Sequence, residues 1–162
     1  MHNPQRIAVF PGTFDPFTRG HENIARKALQ LFEQLYIAIG INSSKSGFWL
    51  SPQQRQRGIA AVFDNIPQVH VITYAGLTVD LCHKVGARFI VRGVRNASDW
   101  NYEWEIALSN RQFDNQIETV ILIPDEPLAH IRSTIVREIA RNHGPLEPFI
   151  PTPFLREIDA LS

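Results

Sequence analysis

Short apolar runs alternate with stretches of helical period along the whole chain, and that alternation limits the possible folds more than any other feature. Ile7-Ala8-Val9-Phe10 is an apolar run closed by Pro11-Gly12, the pattern of a buried strand. From His21 the period changes: Ile24, Ala25, Ala28, Leu29, Phe32 and Leu35 follow the i, i+3/i+4 spacing of an amphipathic helix. Tyr36 to Ile41 reads as a second strand, followed by a polar loop from Asn42 to Gly47. Ser51, Pro52 and Gln54 then form a capping-box helix start. Further strands are expected at Val69–Ile72, Phe89–Val91 and Thr119–Ile123. Helices are expected at Thr78–Val85, Asp99–Phe113, Ser133–Arg141 with Ser133 as its cap, and about Pro153–Leu161. Five consecutive-apolar strands interleaved with helices predict an α/β fold, a doubly wound parallel sheet covered on both faces.

The 162 residues suit one domain spanning residues 1–162. A chain of that length buries roughly 68–70% of its unfolded surface and needs no staple. Cys82 is the only cysteine, which excludes an internal disulfide and a multi-cysteine metal site; it reads as a buried apolar residue. Sixteen basic residues balance sixteen acidic ones, so the basic face that drives nucleic-acid binding is missing and no nucleic-acid partner is expected. No apolar run approaches the ~18–20 residues of a membrane span. The polar start of the chain is unlike a secretory leader, so the expected location is cytoplasmic, away from membranes.

Ligands of doubly wound sheets bind beyond the carboxyl ends of the strands. The segments there are 11–20, 42–47, 74–78, 92–99 and 124–134. The first runs Pro11-Gly12-Thr13-Phe14-Asp15-Pro16-Phe17-Thr18-Arg19-Gly20-His21. It carries neither the dinucleotide glycine fingerprint nor a Walker loop. Its glycines allow tight turns, and Thr13, Thr18 and His21 place donors at a helix N-terminus, where free N–H groups and the helix dipole favour phosphate. A lone histidine at such a point is ordinarily a cap or a surface residue.

The residues around this histidine point to more than a cap. Gly12-Thr13-Phe14-Asp15-Pro16 with Thr18-Arg19-Gly20-His21 resembles the (H/T)xGH signature of the adenylyl- and cytidylyltransferase superfamily. Ile131-Arg132-Ser133-Thr134-Ile135-Val136-Arg137 resembles its second signature, ISSTxxR/K. Asn42-Ser43-Ser44-Lys45, Ala75 to Asp80, the Ile90-Val91-Arg92-Gly93-Val94-Arg95 word and Tyr102-Glu103 narrow the resemblance to the phosphopantetheine adenylyltransferase family. It extends from Ile7 to about Pro151.

That resemblance implies a Rossmann-like nucleotidylyltransferase fold. It also implies transfer of AMP from ATP to 4′-phosphopantetheine, giving dephospho-coenzyme A and pyrophosphate. It implies that His21 stabilises the α-phosphate in the transition state and that Thr13 orients the attacking phosphate. Lys45 and Arg92 would hold the acceptor, with Thr78 along the pantetheine arm. Phe14, Gly93, Val94, Arg95, Glu103, Leu128, Ala129, His130, Ile131, Arg132, Ser133 and Thr134 would complete the ATP side, and Lys45 and Arg95 would also serve the chemistry. Two arginines flanking a glycine after a strand suit phosphate, because guanidinium is a permanent forked donor. Mg²⁺ is expected on the substrate phosphates rather than on protein ligands. The resemblance further implies a homohexamer, with coenzyme A as a candidate regulator. Trp100 and Trp104 read as core or subunit packing.

Arg132 departs from the family word, which carries a hydroxyl residue there; contact with the triphosphate is the expectation for it. Leu128 stands where other members carry an aromatic. Two alternatives stay open: a sister nucleotidylyltransferase using nicotinamide mononucleotide or a polyol phosphate, and a non-catalytic nucleotide-binding regulator.

Overall fold

A computed structural model describes residues 6–41 and 47–159. Strands β1 (Ile7–Gly12), β2 (Gln34–Gly40), β3 (Val69–Tyr74), β4 (Phe89–Gly93) and β5 (Glu118–Leu122) alternate with helices α1 (Arg19–Ala28), α2 (Pro52–Val62), α3 (Thr78–Val85), α4 (Ala97–Phe113), α5 (Ser133–Arg141) and α6 (Thr152–Asp159). The strands form one sheet in the order β3-β2-β1-β4-β5, and every pair is parallel. Successive residues of β1 fall on opposite faces. Ala8 and Phe10 join one apolar cluster with Leu35, Ile37 and Ile39, while Val9 joins another with Ala38, Val79 and Cys82. Both faces are therefore buried, which explains why these strands read as unbroken apolar runs.

The strand order reverses between β1 and β4, where a doubly wound sheet opens its binding crevice. The β1–β4 ladder stops at Val9–Ile90, whereas on the other side β1 stays paired with β2 as far as Gly12–Ile39. Three residues of β1 are thus left unpaired toward β4 at their carboxyl end. The site lies around that opening.

Local signals locate most element ends. Ser51 and Gln54 make both halves of the expected capping box at α2. Gly86 ends α3 at a φ of 71°, a left-handed cap that glycine takes without a Cβ clash. Three expectations are corrected. The helix read from His21 through Leu35 ends at Ala28, and Leu35 belongs to β2. Phe32 and Leu35 keep the helical spacing by coincidence, since both reach the same core cluster from a turn and a strand. Ser133 does not cap α5: Arg132 occupies the cap position, and the Ser133 hydroxyl donates to the Pro16 carbonyl at 2.9 Å. Helix α4 starts two residues early because Asn96 caps it, accepting from the Asp99 amide at 3.0 Å.

Trp100 and Trp104 are 50% and 55% exposed, which excludes the core of a single chain for both. Cys82 is buried, and burial first, then the Asp114 charge, pushes its thiol up to about 11. No helix among the described residues is long and apolar enough to cross a membrane.

Candidate active site

The turn after β1 is built so that its backbone carbonyls are occupied. Arg92 Nη1 donates to the Pro11 carbonyl at 2.6 Å, in the gap the ladder leaves open. Arg55 Nη1 donates to the Thr13 carbonyl at 2.6 Å, Arg137 Nη1 to that of Asp15, and Ser133 to that of Pro16. The Asp15 carboxylate accepts the amides of Trp49 and Leu50 at 2.8 and 2.9 Å. Four peptide dipoles thus have their negative ends matched by donors, three of them guanidinium. The result is a turn suited to a polyanion. Phe14 sits in this turn with a φ of 52°, an uncommon conformation for a bulky residue. Its buried ring packs against Phe10, Phe17 and His21, and a Cβ on Gly12 would come within 2.7 Å of it. Only glycine fits at position 12.

His21 is the third residue of α1 and completes a capping box with Thr18. The Thr18 amide donates to His21 Nδ1 at 3.0 Å, and the His21 amide reaches the Thr18 hydroxyl at 3.4 Å. Burial, then the charges of Arg95 and Arg92, push the imidazole pKa down to about 3. At neutral pH the ring is uncharged, and since Nδ1 accepts, its proton is on Nε2. The histidine is both the cap that an ordinary reading gives and a neutral donor held in a fixed tautomer.

Two cavities meet at this turn. One, of about 250 Å³, is lined by His21, Arg95, Glu103, Leu128, Ser133 and Arg137 among others. The second, of about 240 Å³, is lined by Gly40, Tyr74, Thr78, Ile106 and Asn110. Pro11, Gly12, Thr13 and Arg92 line both. A wider recess of about 630 Å³ lies at the opposite end of the strands, near Arg6, Phe32 and Gln68. It is at the wrong end of a parallel sheet for the usual ligand site.

A cytidylyltransferase-like family model matches residues 9–139. A phosphopantetheine adenylyltransferase from Flavobacterium psychrophilum is 44% identical over 146 residues, covering 90% of this chain and 95% of that protein. The chain belongs to this family. Proteins of the same name from Leptospira biflexa and Porphyromonas gingivalis are 45% and 42% identical, covering 85% and 93% of this chain and 85% and 97% of their own lengths. The fold is also that of a Vibrio parahaemolyticus structure provisionally assigned as a nicotinate-nucleotide adenylyltransferase. That structure has a TM-score of 0.68 at 17% identity over 95% of this chain and 99% of its own.

Of the residues the family resemblance singles out, Thr13, Phe14, His21, Gly93, Arg95, Glu103, Leu128, Ile131 and Ser133 line the first cavity. Thr13, Thr78 and Arg92 line the second, where the Thr78 hydroxyl meets Tyr74 at 3.1 Å. Arg92 and Glu103, expected on different substrates, form one bidentate pair at 2.6 Å for each bond. Arg95 is held by Asp99 at 2.9 Å and by the Ile131 carbonyl at 3.0 Å. Val94, Ala129, His130, Arg132 and Thr134 are not among the lining residues of either cavity. Val94 is buried, its amide bonding to Leu122; Arg132 is exposed, its carbonyl accepting from the Val136 amide at 3.0 Å while its side chain makes no hydrogen bond among the described residues. Lys45 lies outside the described residues.

Sequence reasoning missed two arginines. Arg137 lines the first cavity; it is the last residue of the Ile131–Arg137 word, so its signal was present. Arg55 has no signal of its own, because its partner, Thr13, is 42 residues away.

Proposed function

We propose that this protein transfers the adenylyl group of ATP to the phosphate of 4′-phosphopantetheine, releasing pyrophosphate and dephospho-coenzyme A. Its relatives carry that activity in their name. The observation that carries the reading is the pair of near-equal cavities sharing Pro11–Thr13 and Arg92, with neutral His21 in one of them. ATP occupies the cavity of His21, Arg95 and Arg137; the acceptor occupies that of Tyr74 and Thr78.

An acceptor phosphate oxygen attacks the α-phosphorus, and the bond from that phosphorus to the pyrophosphate oxygen breaks. The attacking oxygen is already ionised, so no general base is required, and rate comes from positioning and charge stabilisation. His21 Nε2–H donates to the α-phosphate as charge builds there, and being neutral it does so without changing protonation. Thr13, at the meeting of the cavities, orients the attacking phosphate. Arg92 faces the acceptor with the donors that Glu103 and Pro11 leave free; Arg95 and Arg137 bind the nucleotide, and Lys45 joins the acceptor side.

Mg²⁺ belongs to the substrate in this reading. The Asp15 oxygens are taken by two amides and those of Glu103 by Arg92, which suits an ion carried by phosphates and water. When bound it neutralises the charge of the leaving pyrophosphate. Assembly into a homohexamer in the cytoplasm, with coenzyme A as regulator, belongs to the same proposal. The exposed Trp100, Trp104 and Leu108 of α4 supply an apolar face that a second copy can cover.

The test is incubation with ATP, Mg²⁺ and phosphopantetheine, measuring pyrophosphate and dephospho-coenzyme A together. Equal yields of both are expected, with no turnover of nicotinamide mononucleotide or polyol phosphates. Nucleotide binding without pyrophosphate release refutes the reading.

A further inference from the structure

Arg55 lies in the first turns of α2, is 1% exposed, and is absent from the lining of both cavities. Its Nη1 donates to the Thr13 carbonyl at 2.6 Å, its Nε to the Ser51 carbonyl at 3.4 Å, and the Phe48 ring covers the guanidinium at 4.8 Å. Burying a charge this deeply carries a desolvation penalty that a methionine of similar volume would avoid. Packing alone therefore does not account for an arginine here.

The charge of the buried Asp15 carboxylate favours a cation here, and the bond to Thr13 gives that cation a specific partner. The Thr13 carbonyl belongs to the peptide whose rotation sets ψ of Thr13 and φ of Phe14 together. Phe14 is held at a φ of 52°, which a bulky residue leaves unless its surroundings prevent it. Releasing the carbonyl lets φ of Phe14 relax, and any part of that change not cancelled by ψ of Thr13 shifts the backbone that carries the exposed Thr13 side chain. The base of the clamp is rigid, because α2 packs closely on α6, where a Cβ on Gly58 would come within 2.6 Å of the Phe154 ring.

We propose that Arg55 is a positioning residue for the transfer reaction: it locks the Thr13–Phe14 peptide and thereby aims the Thr13 hydroxyl at the point where the two cavities meet. The inference rests on the adenylyl-transfer reading of the site.

A double-mutant cycle tests it. Arg55→Met should lower kcat about a hundredfold and Arg55→Lys, which keeps one charged donor, about tenfold, the scale of a small misplacement in a reacting geometry. The KM for ATP should stay within about twofold. In a Thr13→Ala background either Arg55 change should cost less than about twofold in kcat, while shifts in melting temperature remain additive. If Arg55→Met does not fold, the cycle with Arg55→Lys decides. Additive losses in kcat, or wild-type kcat in a folded Arg55 variant, overturn the proposal. A Thr13→Ala enzyme with wild-type kcat also overturns it while leaving adenylyl transfer standing, since the product assay tests that separately.

Discussion

The amide of Thr18 donates to Nδ1 of His21 at 3.0 Å. That single bond selects the tautomer: with Nδ1 accepting and the ring neutral, Nε2 carries the only ring proton. The two charges nearest in effect, Arg95 and Arg92, help burial keep the ring neutral. The same arginines that line the cavity thus help prevent the histidine from becoming a third cation.

His21 should govern acid sensitivity with a definite sign. Its pKa is lowered from 6.5 to about 3 on folding, so between those values the unfolded chain takes up a proton that the native state refuses. Stability falls as pH drops through that window, by up to about 1.4 kcal/mol per pH unit from this group. Denaturant unfolding at pH 7 and pH 5 should show a smaller loss in His21→Gln than in the wild type. An equal loss would mean that His21 is not neutral in the native protein.

Turnover should depend on the same ring. A donor aimed at charge that grows in the transition state acts on kcat more than on binding. His21→Ala should remain folded, bind ATP within a few fold of wild type, and lose at least about 10²–10³ in kcat. Thr18→Ala should lose less, because the helix still presents the imidazole after the cap is gone. Single-turnover kinetics with ATP titrations separate the two effects.

Arg92 and Glu103 should behave as a pair. Glu103 is only 6% exposed and both of its oxygens bond Arg92. Arg92→Ala leaves a carboxylate buried without its counterion, which costs about 3–5 kcal/mol. It should also raise the KM for phosphopantetheine by about one to two decades, given charge-assisted bonds of roughly 1.5–3 kcal/mol. Removing Glu103 as well should recover much of the lost melting temperature and none of the acceptor affinity. Calorimetry with both substrates measures each part.

Arg137 and Arg132, five residues apart, should differ sharply. Arg137 lines the cavity of His21, and Arg132 is exposed at the cap of α5 outside that lining. Arg137→Ala should weaken ATP by about a decade, whereas Arg132→Ser should change it less than about twofold at both low and high salt. A large effect at Arg132 would show that its side chain swings into the site when nucleotide binds.

The amino-acid sequence by itself determined the features that depend on neighbours along the chain. Buried strands announce themselves as Ile/Val-rich runs, a serine with glutamine three residues on starts α2, and Gly86 stops α3 because a left-handed residue is needed there. The words that carry the family resemblance sit after β1, β4 and β5 for the same reason: strand, turn and helix start are all local. What only the tertiary structure decided is where side chains find partners. Helical spacing persisted through Leu35, yet the chain turned at Ala28 because Phe32 and Leu35 could reach the core by another path. Ser133 turned from an apparent cap to a donor for Pro16, 117 residues away. Arg92 and Glu103 became one ion pair, and Arg55 closed on Thr13 across 42 residues. A carbonyl or carboxylate buried in the fold must be matched by whichever donor the packing brings to it. That choice depends on the placement of separate elements, which no local pattern encodes.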